Sequence, residues 1–262
     1  MSKKYFFMAG LPRSGNTLLS SILNQNPDIN VSANSIVPGI FLNIHQLFDS
    51  EIFVNFPDQK SLDNVMSNVL DNYYANWTGK YIIDRSSWGT PGNLSYLKTY
   101  LQDEIKIICP VRNLLEIAES FKKFPFPLYP DESYKFLYTD EESFFYDRFF
   151  ETFDSIGRGY WSVKNLCEKE NRHYAHFIEY NDLVANPKKE IEKIYDFLEI
   201  PKYEHHYNHI DQFKVNNMCY NDKDYIEDLH TLKSVIQKSS TTTDNIPEKI
   251  KQKYAGLEIW RN

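Results

Sequence analysis

Positive charge is in short supply. The 29 lysines and arginines face 36 aspartates and glutamates, giving a formal net charge of −7. Broad nucleic-acid binding needs a basic face, so no nucleic-acid partner is expected. A small anionic ligand remains possible, because a local basic pocket acts over short range. Cysteine is scarce and odd in number. Cys109, Cys167 and Cys219 are widely spaced, which suggests neither a disulfide framework nor a zinc ribbon. A reducing cytoplasm is the simplest reading. Nine glycines and twelve prolines are too few for a fibrous or low-complexity chain. Long apolar runs are missing too. None approaches the roughly 18 residues of a membrane helix, so no membrane span is expected. The short run Tyr5 to Ala9 follows Lys3 and Lys4, but Pro12-Arg13 interrupts it before it can read as a signal peptide.

What the chain does have is apolar and aromatic mass, 42% and 16% of its residues, enough for a substantial core. It shows no internal repeat and no compositional boundary. A single domain over residues 1–262 is the expectation. Buried strands are expected at Lys4 to Ala9, Tyr81 to Ile83, Ile105 to Val111 and His176 to Tyr180, with Ile29 to Ser32 as a further candidate. Helical periods fall at Asn16 to Asn26, Ser61 to Trp77, Leu114 to Lys123 and Pro187 to Leu198. Glu141 to about Glu170 reads as one long helix or two. This alternation predicts an α/β fold of three layers, α/β/α, around a central parallel sheet of about five strands. Phe124 to Thr139, rich in proline and tyrosine, reads as an excursion over the sheet, and Lys238 to Asn245 as a polar loop.

Gly10-Leu11-Pro12-Arg13-Ser14-Gly15-Asn16-Thr17 lies between the first strand and the first helix. It has the outline of a phosphate loop (P-loop), but Asn16 stands where the general motif has lysine. Amides at a helix N-terminus and the helix dipole favour an anion there, and Arg13 adds a fixed positive fork. A second feature is Arg112, at the end of the Ile105 to Val111 strand, with Ser120 eight positions on along a helix. Cations at that end of a strand sit where open α/β sheets bind ligands.

Leu11 to Leu19 resembles the 5′-phosphosulfate loop of the sulfotransferases, in the arginine form similar to tyrosylprotein sulfotransferases and many bacterial members. That family moves a sulfuryl group from 3′-phosphoadenosine 5′-phosphosulfate (PAPS) to an acceptor and releases 3′,5′-adenosine bisphosphate (PAP). The resemblance implies that Pro12, Arg13, Ser14, Gly15, Asn16 and Thr17 hold the 5′ end of the donor. It implies that Arg112 and Ser120, at the family's eight-residue spacing, hold the 3′-phosphate. Tyr180-Asn181-Asp182-Leu183 is similar to a segment whose tyrosine contacts adenine, although Asn181 replaces the usual glutamate. Asp182 or Asn186 is expected to cap the helix entry there. Leu229-His230-Thr231-Leu232-Lys233 is similar to a bacterial Leu-His-x-x-basic segment, and Lys233 and Lys238 are candidates to close over the 3′-phosphate.

The implied chemistry is in-line transfer to a hydroxyl or amine of a small-molecule, carbohydrate or peptide acceptor. Arg13 would stabilise the leaving group, and Arg85 matches a position where relatives place a second cation; an ion pair of Arg85 with Asp84 or another carboxylate is the alternative of equal weight. No metal is required, since protein cations replace it. The general base is open, because the stretches where relatives carry it read Ser32-Ala33-Asn34-Ser35 and Ser86-Ser87-Trp88. His45, Asp49, Glu51 and Asp84 are the candidates. Two rival readings remain at this stage: a kinase or nucleotide hydrolase with a variant loop, and a non-catalytic nucleotide-binding protein. A metal site at His205, His206, His209 and Asp211, or around His173 and His176, is a weaker third. The sequence specifies no oligomeric state.

Overall fold

The computed structural model describes residues 3–101, 104–122, 146–147, 150, 155–221 and 229–261. Five short strands make one sheet: β1 (Lys4–Met8), β2 (Ile29–Val31), β3 (Tyr81–Arg85), β4 (Ile107–Val111) and β5 (Ala175–Glu179). Their order is β2-β3-β1-β4-β5, and every pairing is parallel. Parallel strands are covered on both faces, which is why Tyr5–Met8 of β1, Tyr81–Ile83 of β3 and all of β4 read as apolar runs.

Two layers of helices sandwich the sheet. On one face lie α1 (Asn16–Leu23), and later in the chain α9 (Tyr180–Ala185) and α10 (Pro187–Leu198). Leu19, Ile22, Ile191, Ile194 and Leu198 pack there on Phe6, Met8, Ile83 and Ile108. The opposite face is covered by α2 (Val37–Gln46), α5 (Val69–Tyr73), α6 (Pro91–Tyr100), α7 (Leu114–Phe121) and α8 (Ser155–Cys167). Their Phe41, Leu70, Leu97, Ile117 and Val163 join Phe7, Ile82, Ile107 and Trp88 in a second core. Each large apolar side chain sealed this way contributes about 1.5–3 kcal/mol. The short helices α3 (Glu51–Asn55), α4 (Gln59–Ser67) and α11 (Glu248–Lys253) complete the described α-helices.

The connection out of β1 runs to β2 at one edge of the sheet, whereas the connection out of β4 runs to β5 at the other. Because β1 and β4 are neighbours, their C-terminal ends diverge into a crevice, the place where open α/β sheets bind ligands.

The sequence reading differs from the fold in detail. The single helix expected at Ser61 to Trp77 is two, α4 and α5, separated at Asn68, whose φ of −103° and ψ of 6° break the helical run. Tyr180 opens α9 rather than ending β5. Helices α2, α3 and α6 were not anticipated. Of Glu141 to Glu170, the described helix is α8, and Phe124 to Thr139 lies outside the described residues.

Candidate functional site

The segment between β1 and α1 turns sharply because two residues take left-handed backbone angles, Arg13 at φ 56° and Gly15 at φ 87°. Glycine adopts this conformation freely. An arginine there is strained by about 1–2 kcal/mol and must be held by its surroundings. It is held well. Arg13 Nε donates to Ser120 Oγ at 3.2 Å, its Nη1 donates to the carbonyl of Leu229 at 2.7 Å, and its own carbonyl accepts from Arg112 Nη1 at 3.2 Å. Inside the turn the Ser14 hydroxyl is directed at the carbonyls of Leu11 (2.5 Å) and Pro110 (2.9 Å). Asn16 Nδ2 donates to the carbonyl of Leu11 at 2.6 Å. Asn16 thus braces the loop, a use for the position that normally carries lysine. Gly10 has no room for a side chain, since a Cβ would sit 2.3 Å from Asn16 Oδ1 and 2.8 Å from the carbonyl of Pro110.

Arg112 leaves the end of β4, 3% exposed. Its Nε meets Glu116 Oε2 at 2.9 Å, one turn along α7, and its guanidinium lies 4.5 Å from the Tyr180 ring centroid. Arg85, at the end of β3, is 8% exposed. Its Nη2 donates to Asn34 Oδ1 at 3.0 Å, and its guanidinium stands 5.5 Å from the Tyr220 ring. Arg112 Nη2 and Arg85 Nη1 are buried nitrogens with no hydrogen-bond partner among the described residues. Burial lowers the pKa of both Arg13 and Arg85, and Arg112 lowers that of Arg13 further. Unanswered donors on crowded cations ask for an anion.

These side chains border one cavity of about 830 Å³ at the C-terminal ends of β1, β3 and β4. Pro12, Arg13, Gly15, Asn16, Thr17, Arg85, Arg112, Ser120, Tyr180 and Lys233 are on its wall. Ser14 lies just beneath, fully buried. Tyr220, His230, Arg158 and Ser162 also face it. Among the described residues, no aspartate or glutamate lines this space. The protein carries an excess of acid, yet the charged side chains on this wall, among the described residues, are all cationic.

A family model described as "Sulfotransferase family" matches residues 6–205. The chain belongs to the sulfotransferase family. It is an enzyme of sulfuryl transfer, and the phosphate loop, Arg112 and Tyr180 lie within the matched region. In overall structure this sulfotransferase is similar to the sulfotransferase domain of the olefin synthase of Synechococcus PCC 7002, at TM-score 0.53 and 21% identity over 90% of each chain. A sulfotransferase from Alicyclobacillus acidocaldarius aligns at TM-score 0.48 and 16% identity, covering 86% of this chain and 88% of that one. Mouse sulfotransferase SULT7A1, solved with PAP, aligns at 0.49 and 17%, covering 78% and 62%. No curated protein matches the sequence.

The remaining candidates fall elsewhere in the enzyme. Asp84 is sealed on the far face of the sheet from Arg85, because successive strand residues alternate. It accepts from the Tyr74 hydroxyl (2.5 Å), Trp88 Nε1 (2.7 Å) and the Ser35 hydroxyl (2.8 Å). Burial raises the pKa of its carboxyl, against the pull of those donors. Asp84 therefore neither reaches the cavity nor pairs with Arg85. His45 is exposed on α2 against Phe48 and Tyr96, and like Asp49 and Glu51 it is off the cavity wall. Lys238 is exposed and off the wall as well. Neither Asp182 nor Asn186 makes a side-chain cap bond. Tyr180 is instead aimed by its place at the β5–α9 junction.

The histidine cluster does not converge. His205 is buried against the Tyr195 hydroxyl at 2.9 Å and burial pushes its pKa down to about 4, whereas His209 sits on the surface beside Asp211. No group of three or more potential ligands for a metal occurs among the described residues. No described helix is long and apolar enough to cross a membrane. Tyr220, Asn34, Arg158 and Ser162 carried no sequence signal, and His230 was visible only as part of the segment read for Lys233.

Proposed function

We propose that this sulfotransferase takes its sulfuryl group from PAPS and releases PAP. One observation carries the reading: Arg112 Nη2 and Arg85 Nη1, buried and without a hydrogen-bond partner among the described residues, belong to side chains on the same cavity, on either side of the phosphate loop. A donor with phosphates at both ends of its ribose needs two separated cationic clamps joined by an anion-binding turn. Arg112, oriented by Glu116 and stacked on Tyr180, holds the 3′-phosphate together with Ser120, and Tyr180 carries the adenine edge. The loop amides and Thr17 hold the 5′-phosphate. Lys233, exposed at the mouth, closes the 3′ side.

When bound, PAPS supplies an activated sulfur. The acceptor hydroxyl or amine attacks it in line, and the bond from sulfur to the 5′-phosphate oxygen breaks, leaving its electron pair on that oxygen. Arg13 and the loop amides stabilise the charge that develops there, and Arg85 stabilises the equatorial sulfuryl oxygens. These groups are fixed before the ligand arrives, so little reorganisation is needed. Acceptors are small molecules, carbohydrates or peptides bearing a hydroxyl or amine. The chain works as one domain, and its three unpaired cysteines suit a reducing cytoplasm.

Calorimetric titration with PAP, against ADP and ATP, tests this. The expected outcome is selective PAP binding that weakens about 10- to 100-fold in Arg112→Ala, the loss of one charged hydrogen-bonding partner. Preference for ATP, or equal affinity in the variant, would overturn it.

A further inference from the structure

We propose that His230 is the general base of this sulfotransferase; the proposal rests on the sulfuryl-transfer reading above. The argument starts from what the cavity wall contains. Its titratable side chains among the described residues are Arg13, Arg85, Arg112, Arg158, Lys233, Tyr180, Tyr220 and His230. Arginine and lysine are protonated near neutral pH and cannot accept a proton. A phenol gives one up only near pH 10, and burial raises the pKa of Tyr180 further. An imidazole is the one group on this wall whose ordinary range suits proton acceptance near neutrality.

Position supports the same residue from two directions. The Leu229 carbonyl, one residue before His230, accepts from Arg13 Nη1 at 2.7 Å, which ties the His230 backbone to the phosphate loop. The His230 ring lies flat on the Tyr220 ring, with centroids 3.7 Å apart and planes 5° from parallel. Tyr220 in turn stands against the Arg85 guanidinium at 5.5 Å. The imidazole is therefore linked to both cations assigned to the transferring group. Among the described residues, the charged side chains that share its cavity wall are Arg13, Arg85, Arg112, Arg158 and Lys233, and Tyr220 covers one face and acts as a positioning residue. None of His45, Asp49, Glu51 and Asp84 is on this wall.

The step balances simply. As the acceptor oxygen bonds to sulfur and the bond to the 5′-phosphate breaks, the acceptor proton passes to an imidazole nitrogen. The resulting imidazolium then loses that proton to solvent.

The test follows PAP release from PAPS with three probe acceptors: water, 2-naphthol and 4-nitrophenol. The last is largely ionised at mildly alkaline pH and needs no base. His230→Asn is expected to slow transfer to water and 2-naphthol by about 100-fold or more. Transfer to 4-nitrophenolate and the PAP dissociation constant stay unchanged. The acidic limb of the pH profile disappears in the variant, and added imidazole restores activity to His230→Gly, which a purely structural role would not produce. Equal turnover and an unaltered pH profile in His230→Asn, with PAP affinity intact, overturn the proposal. So does a wild type that releases PAP with none of the three acceptors. Failure of wild type to bind PAP at all defeats the donor reading instead.

Discussion

Asp84, a carboxylate among the candidates for the general base, is an internal anchor. Two oxygens receive donors from Tyr74, Trp88 and Ser35, which come from three separate stretches of the chain. Asp84→Ala removes the acceptor that the fully buried Tyr74 and Trp88 donors share, and each such loss costs about 1–3 kcal/mol. With partial relaxation we expect unfolding free energy to fall by about 2–4 kcal/mol in urea titrations, while the folded variant keeps its PAP affinity. A variant of normal stability that fails to bind PAP would reverse the assignment. The strand sequence Asp84-Arg85 could not announce this division of labour, because it depends on which side chains lie on each face of the sheet.

Among elements, the turn between β1 and α1 is the most constrained. At Gly15 an alanine would hold a left-handed φ of 87° and bring its Cβ within 3.0 Å of the Tyr180 ring. Gly15→Ala is expected to cost about 1–2 kcal/mol in stability, a fall of a few degrees in Tm, and to weaken PAP binding as Tyr180 is displaced. Differential scanning fluorimetry with and without PAP reads both effects, and an unchanged melting curve in each condition would contradict them. This turn was legible in the sequence, as were β1, β3 and β4, because strands buried on two faces carry long apolar stretches. Arg112 and Ser120 stood out only through the family's eight-residue spacing, and both are on the cavity wall. Helix α2 was not: Val37-Pro38-Gly39 opens it with poor helix formers. Helix α6 buries only Leu94 and Leu97, too few for a clear period. No proline or glycine marks the break at Asn68, whose exposed side chain donates to the Asn64 carbonyl at 2.8 Å. Tyr220 and His230 themselves lie outside helices and strands, where no period points inward.

The molecule as a whole sets a cationic cavity inside an acidic surface. Four arginines and Lys233 line it, against a net charge of −7 for the chain. Ligand attraction should therefore respond to salt in two opposing ways, since screening weakens the cavity's pull and also the surface's repulsion. Short-range contacts dominate at this depth, so raising salt from about 50 to 300 mM is expected to weaken PAP binding by roughly tenfold. Arg112→Ala should show a shallower slope over the same series of titrations. A flat response in wild type would mean that hydrogen-bond geometry, not charge, carries the affinity.

β3 has a consequence for how such a chain can change over generations or in a recombination library. Its two-residue period sends Asp84 into the aromatic layer and Arg85 to the cavity. Gaining or losing one residue inside 81–85 would turn the strand over, putting a carboxylate into the cavity and a guanidinium among Tyr74 and Trp88. Point replacements there alter the enzyme by degrees, whereas a frame change reverses its polarity in one event. Crossovers and length variation are best accommodated outside that strand.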